Sequence, residues 1–230
     1  MNKKKQSNKK QYSKLNFKII TFYLIGILVF EFILLILIVG NIWNNNQFID
    51  GVTLNDINTK KMEAKNIAVF ETSQGTFKIE LFLDKSPITA GNFKKLVEEG
   101  FYDQTRFHRI IKDFMIQGGD PLSKNTTLRG RWGTGGPGYS IKDEFIKGLS
   151  NKKGTIAMAN SGPNSGGSQF FINVKDNTFL DWDKQPSQSK HPVFGKVIEG
   201  MDIVMKISNV KTKQADMPVD DIVITKVYME

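Results

Sequence analysis

The sequence predicts a mostly β, antiparallel domain with two helices, preceded by one transmembrane helix. Short segments in which apolar and polar residues alternate, separated by glycine-rich turns, make up most of residues 66–230. Two stretches in the same region have the apolar spacing of helices, and residues 19–40 are apolar almost throughout. A few helices among many short strands are typical of an antiparallel β domain whose open ends need to be covered.

The apolar segment 19–40 predicts a membrane anchor. Its 22 residues would rise about 33 Å as a helix, enough to cross a hydrocarbon core of about 30 Å. The alternative is a cleaved signal peptide, whose apolar region is shorter, about 7–15 residues. We therefore expect a single-pass protein of the cell membrane: residues 1–18 a basic cytoplasmic tail, 41–65 a polar linker, and 66–230 an extracytoplasmic domain.

Composition excludes several classes of site. The chain has no cysteine, which rules out disulfides, cysteine-bound zinc and thiol catalysis. Only two histidines are present, so we expect no metal. Removing the seven lysines and one glutamate of residues 1–40 from the net charge of +9 leaves +3 for residues 41–230. The basic excess therefore belongs to the tail, and no nucleic-acid partner is expected.

The elements of the domain follow in order. Residues 67–73 predict a strand, Gln74 and Gly75 a turn, and the alternation over 77–83 a second strand, which together form a hairpin. A helix should begin with Ser86 as its N-cap and Pro87 as its first residue, and end at Gly100, with Ile88 among its apolar contacts. A second helix is predicted over 201–207 and a closing strand over 221–228.

Strand alternation places an arginine among apolar residues. Over 106–111 it directs Phe107, Arg109 and Ile111 to one face, and His108 and Ile110 to the other. From this pattern alone, Arg109 is equally well a solvated or ion-paired strand residue or a functional one, because exposed arginines are common.

A second alternating segment, 168–174, favours a matching surface. Gln169, Phe171 and Asn173 share one face, while Phe170 and Ile172 take the opposite one, which we assign to the core. The first face of this segment and that of Arg109 could therefore line one concave patch.

Three segments of the domain are distinctive: YDQTRFHRIIKDFMIQGG at 102–119, GTIAMANSGPNSGGSQFFI at 154–172 and HPVFGKVIEG at 191–200. In this order they closely resemble the signature of the cyclophilin family of peptidyl-prolyl cis-trans isomerases. The resemblance covers about residues 66–230. It implies a closed eight-stranded antiparallel barrel with a helix capping each end, and an isomerase that acts on Xaa-Pro bonds of proline-containing polypeptides without a cofactor.

The resemblance also implies roles for individual residues, carried over by position. Arg109 is the catalytic residue. The proline ring is expected to lie among apolar side chains and one imidazole: Phe114, Met115, Phe171, Phe179, Leu180 and His191. The flanking peptide backbone is expected to be held by Gln117, Ala159, Asn160 and Gln169. His108 matches the motif but is interpreted as structural.

The chain departs from the family pattern in two ways. Phe179 stands where many eukaryotic members have tryptophan, which predicts weak binding of the cyclic peptide cyclosporin. Segments 122–132 and 182–189 are insertions relative to the compact pattern, either surface loops without a role or elements that select substrate. The predicted function is prolyl isomerisation in the folding of exported proteins. The alternative is a cyclophilin-like chaperone or binding module with little catalytic role.

Overall fold

The computed structural model describes residues 33, 35, 36, 66–184 and 190–230. The predicted basic tail, the polar linker, most of the predicted membrane helix and residues 185–189 of the second insertion lie outside the described residues. Ile33, Leu35 and Ile36 are helical. No helix within the described part of the chain is both long and apolar enough to cross a membrane. The described residues 66–184 and 190–230 belong to one compact unit.

Nine antiparallel strands of this unit form one curled sheet in the order β3-β11-β1-β2-β8-β6-β7-β5-β4, and a separate ribbon pairs β9 with β10. The strands are β1 Ile67–Thr72, β2 Gly75–Leu81, β3 Thr105–Arg106, β4 Arg109–Ile111, β5 Met115–Gly118, β6 Thr155–Met158, β7 Phe170–Asn173, β8 Val193–Glu199, β9 Thr212–Lys213, β10 Met217–Pro218 and β11 Val223–Met229. The helices are α1 Pro87–Glu98 and α2 Met201–Ser208.

The expectation of a closed eight-stranded barrel is wrong in both strand number and closure. The sheet is a curled half-barrel, and its two edge strands, β3 and β4, do not pair with each other. They follow one another in the chain, separated by Phe107 and His108. The Phe107 backbone N–H donates to Ile222 O, whereas that of His108 donates to Gln117 O. One segment thus divides its hydrogen bonds between the two ends of the sheet and forms two short edges rather than one closing strand.

The hairpin and both helices are confirmed. β1 pairs with β2 around a turn at residues 73–74, and α1 begins at Pro87 with Gly100 in the left-handed conformation after its end. Ser86 occupies the N-cap but makes no capping hydrogen bond with its side chain. The Glu144 carboxylate accepts instead from the Ile88 and Thr89 backbone N–H groups, at 3.0 and 2.9 Å. Such a carboxylate satisfies donors that a helix N-terminus leaves unpaired.

Two predicted orientations are wrong for geometric reasons. Ile88 is exposed, because five residues at about 100° each place it some 140° from Phe93 on the helix. Phe107 lies in the main core together with Ile110, rather than on the face of Arg109. The chain is not a strand at residues 107–108, so strict alternation does not continue through them.

A second apolar cluster lies apart from the main core, and it forms the floor of the candidate site. Its buried members are Met115, Ala157, Phe171, Leu180 and Val193. Residues adjacent to these in the strands, such as Ile116, Ile156 and Ile172, belong to the main core. The strands β5, β6 and β7 therefore bury both faces. The prediction that Phe170 and Ile172 face the core, opposite Phe171, is confirmed.

Candidate functional site

A cavity of about 250 Å³ opens over the second apolar cluster. Nine of the residues that the sequence assigned to the site line it: Arg109, Phe114, Met115, Gln117, Ala159, Asn160, Phe171, Leu180 and His191. Two others lie beside it. Gln169 lines a neighbouring cavity of about 710 Å³ that shares Gln117, Ala159 and Asn160. Phe179 is 61% exposed and stacks on Phe114 at 5.9 Å between ring centroids.

Strand register brings the central side chains together. Arg109 of β4 lies opposite Gln117 of β5, Gln117 opposite Phe171 of β7, and Phe171 opposite Ala157 of β6. Directly opposed residues of an antiparallel pair point to the same face. Arg109, Gln117, Phe171 and Ala157 therefore form one row across four strands, with a guanidinium at one end and apolar side chains at the other. This row positions a charge beside an apolar cavity.

The Arg109 side chain is 44% exposed and forms an ion pair with Asp216, with Nε 3.3 Å from Oδ2. This is its only side-chain hydrogen bond to any residue that the structure describes. The arginine is therefore ion-paired, as one of the two interpretations of the sequence has it, and it also lines the cavity; its catalytic role stays a prediction.

The amide side chains of the site are connected to its rim. Gln117 Nε2 donates to Gln169 Oε1 at 3.0 Å, and Gln169 Nε2 donates to the carbonyl oxygens of Gly133 and Gly135 at 2.9 and 2.8 Å. Asn160 Nδ2 donates to Lys190 O at 2.8 Å. These bonds fix the orientation of each amide, and Gln169 uses both ends of its amide group in them.

His191 contributes a neutral, largely apolar surface. Burial lowers the pKa of its imidazole, although a hydrogen bond to Met158 O opposes the shift. Its Nδ1 lies 2.9 Å from that carbonyl oxygen, and a carbonyl can only accept, so Nδ1 carries the proton of the neutral ring. The ring meets Phe171 edge to face at 5.1 Å.

His108 is buried outside the cavity lining, and burial lowers its pKa as well. Neither ring nitrogen meets the geometry of a hydrogen bond with a residue that the structure describes, but the Asp120 carboxylate, the Arg106 backbone and the Gln169 side chain lie near enough to oppose the lowering of the pKa. Its ring lies next to Gly133, where an added Cβ would be 3.7 Å from it. This position agrees with its interpretation as structural.

A buried polar network beneath the cavity was missed by the sequence reasoning. The Asp181 carboxylate accepts from Ser150 Oγ at 2.5 Å, from Asn151 N at 2.7 Å and from Asn151 Nδ2 at 3.0 Å. Asn151 Nδ2 also reaches His191 O at 3.3 Å, and Asn177 Nδ2 donates to the carbonyl oxygen of Phe114 at 2.8 Å. The network therefore holds the backbone of two cavity residues. No periodic signal marks it, because Ser150, Asn151, Asn177 and Asp181 all lie outside the strands.

Comparison with known proteins agrees with this geometry. Residues 67–229 match the family model described as cyclophilin type peptidyl-prolyl cis-trans isomerase/CLD. Peptidyl-prolyl cis-trans isomerase-like 1 of Neurospora crassa is 43% identical over 164 residues, which are 71% of this chain and 93% of that protein. The human protein of the same name is 43% identical over 159 residues, covering 69% and 89%.

Solved structures show the same similarity. The crystal structure of a cyclophilin type peptidyl-prolyl cis-trans isomerase from Cryptosporidium parvum has a TM-score of 0.63 and 31% identity, covering 72% of this chain and 97% of that one. A second structure of that protein, in the presence of the dipeptide Ala-Pro, gives a TM-score of 0.62 and 31% identity, covering 71% and 98%.

The prediction of a single-pass membrane protein with its domain outside the cell is wrong. The relatives from Neurospora crassa and human are covered to 93% and 89% by their matches, so they consist almost entirely of the matched domain. Within the described part of the chain, no helix can cross a membrane. The expectation of exported client proteins was inferred together with that localisation, and nothing in these comparisons confirms it.

Proposed function

The chain belongs to the family of cyclophilin-type peptidyl-prolyl cis-trans isomerases, and on that premise we propose that residues 66–230 catalyse rotation about Xaa-Pro bonds in polypeptides. One observation carries the proposal. The Arg109 guanidinium lies at the edge of an apolar cavity of about 250 Å³, next to amide side chains of fixed orientation. A cavity of this size suits one small ring rather than a ligand that fills a pocket of about 300–1,000 Å³.

The reaction needs neither a nucleophile nor a cofactor. Delocalisation of the nitrogen lone pair gives the peptide bond a rotational barrier of about 18–20 kcal/mol. Delocalisation is lost halfway round, and the prolyl nitrogen becomes a hydrogen-bond acceptor. A guanidinium is permanently charged and has five N–H donors. It can therefore bind the twisted state more strongly than either planar state, and such differential binding lowers the barrier.

The rest of the cavity orients the substrate. We propose that the proline ring lies against Phe114, Met115, Phe171 and Leu180, which together exclude water and so strengthen the contact with the arginine. Gln117, Ala159, Asn160 and Gln169 would hold the flanking backbone. Proline-containing peptides are the ligand class, a proposal supported by the Cryptosporidium parvum relative crystallised in the presence of Ala-Pro.

Replacing Arg109 with alanine in the full chain tests the mechanism. A hydrogen bond to a charged group contributes about 1.5–3 kcal/mol, so the isomerisation rate of a short Xaa-Pro peptide should fall about 10- to 100-fold. Peptide affinity should change less than about threefold, because the bond forms mainly in the twisted state. The control is Arg131→Ala, which removes an exposed arginine at the end of a short 3-10 helix, Thr126–Arg131. A folded Arg109→Ala protein with the wild-type rate would refute the mechanism.

Binding without turnover is the second candidate function. The ion pair between Arg109 and Asp216 favours it, because part of the guanidinium is already engaged. It predicts that the wild-type chain binds a proline peptide, and that line-shape or exchange measurements show no acceleration of its cis-trans interconversion.

A further inference from the structure

We propose that Asp216 is a positioning residue that orients the guanidinium of Arg109 for the twisted state of the substrate. The inference rests on the proposed function, since it assigns the orientation of its catalytic group. Asp216 does not line the cavity. Its carboxylate reaches Arg109 Nε from a separate element, the β9–β10 ribbon, which follows the second helix.

The backbone that presents Asp216 has an unusual conformation. Ala215 and Asp216 both have positive φ angles, 62° and 58°. Residues with a Cβ atom rarely adopt this left-handed region, and two in succession are rarer still. Such conformations persist only where the surrounding structure holds them, and they concentrate at functional sites. Here the strained pair places a carboxylate next to the guanidinium.

The surroundings hold this turn from both sides. Met217 pairs with Lys213 and Pro218 with Thr212, which closes the ribbon below the turn. From the other side, Arg129 directs Nη1 to Met217 Sδ at 3.7 Å.

The same arginine anchors the insertion to the main sheet. Arg129 Nη2 donates to Asp221 Oδ1 at 2.6 Å, and Arg106 Nε donates to Asp221 Oδ2 at 2.9 Å. The guanidinium of Arg129 also stacks over Trp132 at 4.5 Å. The sequence leaves open whether residues 122–132 are a surface loop without a role or select substrate. In the structure they contact the ribbon that carries Asp216.

An acceptor at Nε is well placed to orient this side chain. The guanidinium is planar, so a hydrogen bond at Nε defines its plane and leaves the two Nη groups for the substrate. Arginine otherwise has many rotamers, and a group already held in its productive geometry loses less entropy when the transition state forms. The Asp216 carboxylate is 44% exposed, so we expect a modest effect, of the size of one solvent-screened ion pair.

The experiment compares Asp216→Ala and Asp216→Asn in the full chain, each alone and combined with Arg109→Ala. Asp216→Ala should lower kcat for a short Xaa-Pro peptide about three- to fivefold with KM unchanged. Asp216→Asn keeps an oxygen that can accept from Nε and should restore part of the loss. Asp220→Ala, which removes an exposed carboxylate four residues away, should leave kcat unchanged.

Two further readouts separate positioning from a purely structural role. In the Arg109→Ala background, Asp216→Ala should have no additional effect on the residual rate. The Nε–Hε resonance of Arg109 should shift in Asp216→Ala and stay in place in Asp220→Ala. A wild-type kcat for Asp216→Ala, or an equal loss in both backgrounds, would overturn the inference and leave the proposed function intact. A wild-type rate for Arg109→Ala would instead overturn the proposed function itself.

Discussion

Replacing Asp181 with alanine should lower the free energy of unfolding by about 2–4 kcal/mol, although this residue does not line the cavity. Asp181 is 5% exposed, and its carboxylate accepts three hydrogen bonds, two of them from Asn151, which is 1% exposed. The third donor is the hydroxyl of Ser150, a partly exposed residue, so it can donate to water when the carboxylate is removed. Each donor left buried without an acceptor costs about 1–3 kcal/mol.

Two donors left without an acceptor would cost about 2–6 kcal/mol together. We expect the lower half of that range, because the alanine variant no longer has to bury a carboxylate, which offsets part of the loss. Even so, the expected value is a large part of a total stability of about 5–15 kcal/mol. Urea unfolding of the full chain at neutral pH measures it.

Two variants serve as controls. Asp183→Ala removes an exposed carboxylate two residues away and should change stability by less than about 0.5 kcal/mol. Asp181→Asn preserves the shape and one acceptor oxygen, and should lie between wild type and Asp181→Ala. If Asp181→Ala were as stable as Asp183→Ala, the network could not be what holds the backbone beneath the cavity.

Two other measurements address the aromatic rim and the histidines. Because Phe179 lacks the indole N–H donor and is 61% exposed, we expect cyclosporin to bind at least about tenfold more weakly than to tryptophan-bearing relatives. In a titration, Phe179→Trp should recover part of the affinity. Tight binding by the wild type that Trp182→Ala leaves unchanged would contradict this expectation of weak binding. Burial lowers the pKa of both His108 and His191, so the unfolded chain takes up protons first as the pH falls through about 6.5. Their contribution to stability is therefore constant above that pH and decreases below it. Urea midpoints between pH 5 and 8 should fall on acidification less steeply in a His108→Gln/His191→Gln protein, and an equal slope would exclude the histidines as the cause.

The sequence predicted the parts of the fold that depend on local periodicity. The alternation that sends Phe171 to the site and Ile172 to the core holds because β7 is regular. It fails at Phe107, where the chain changes from one hydrogen-bonding partner to another. Closure of a sheet is a relation between distant strands, and no window of sequence encodes how one segment divides its hydrogen bonds. The resemblance to a family supplied a barrel where the structure has two unpaired edges.

The same distinction applies to the candidate site. Eight of the nine predicted cavity residues lie within three motifs, Leu180 lies between two of them, and strand register brings Arg109, Gln117 and Phe171 together. The residues that support them were not predicted. Asp216 is 107 positions from Arg109 in the sequence. It lies in a short ribbon where Ala215 and Asp216, rather than glycines, have positive φ angles, so the sequence gives no sign of this turn. Asn151 and Asp181 lie in loops, where apolar spacing carries no information.

Arg109 shows why the two interpretations of an arginine need not compete. A single acceptor at Nε engages one of five N–H donors, so the ion pair with Asp216 leaves most of the guanidinium for a ligand. Both partners are 44% exposed, so solvent screens the pair and the guanidinium stays accessible. An exposed ion pair contributes little to stability, so its place beside the cavity is better explained by orientation than by folding.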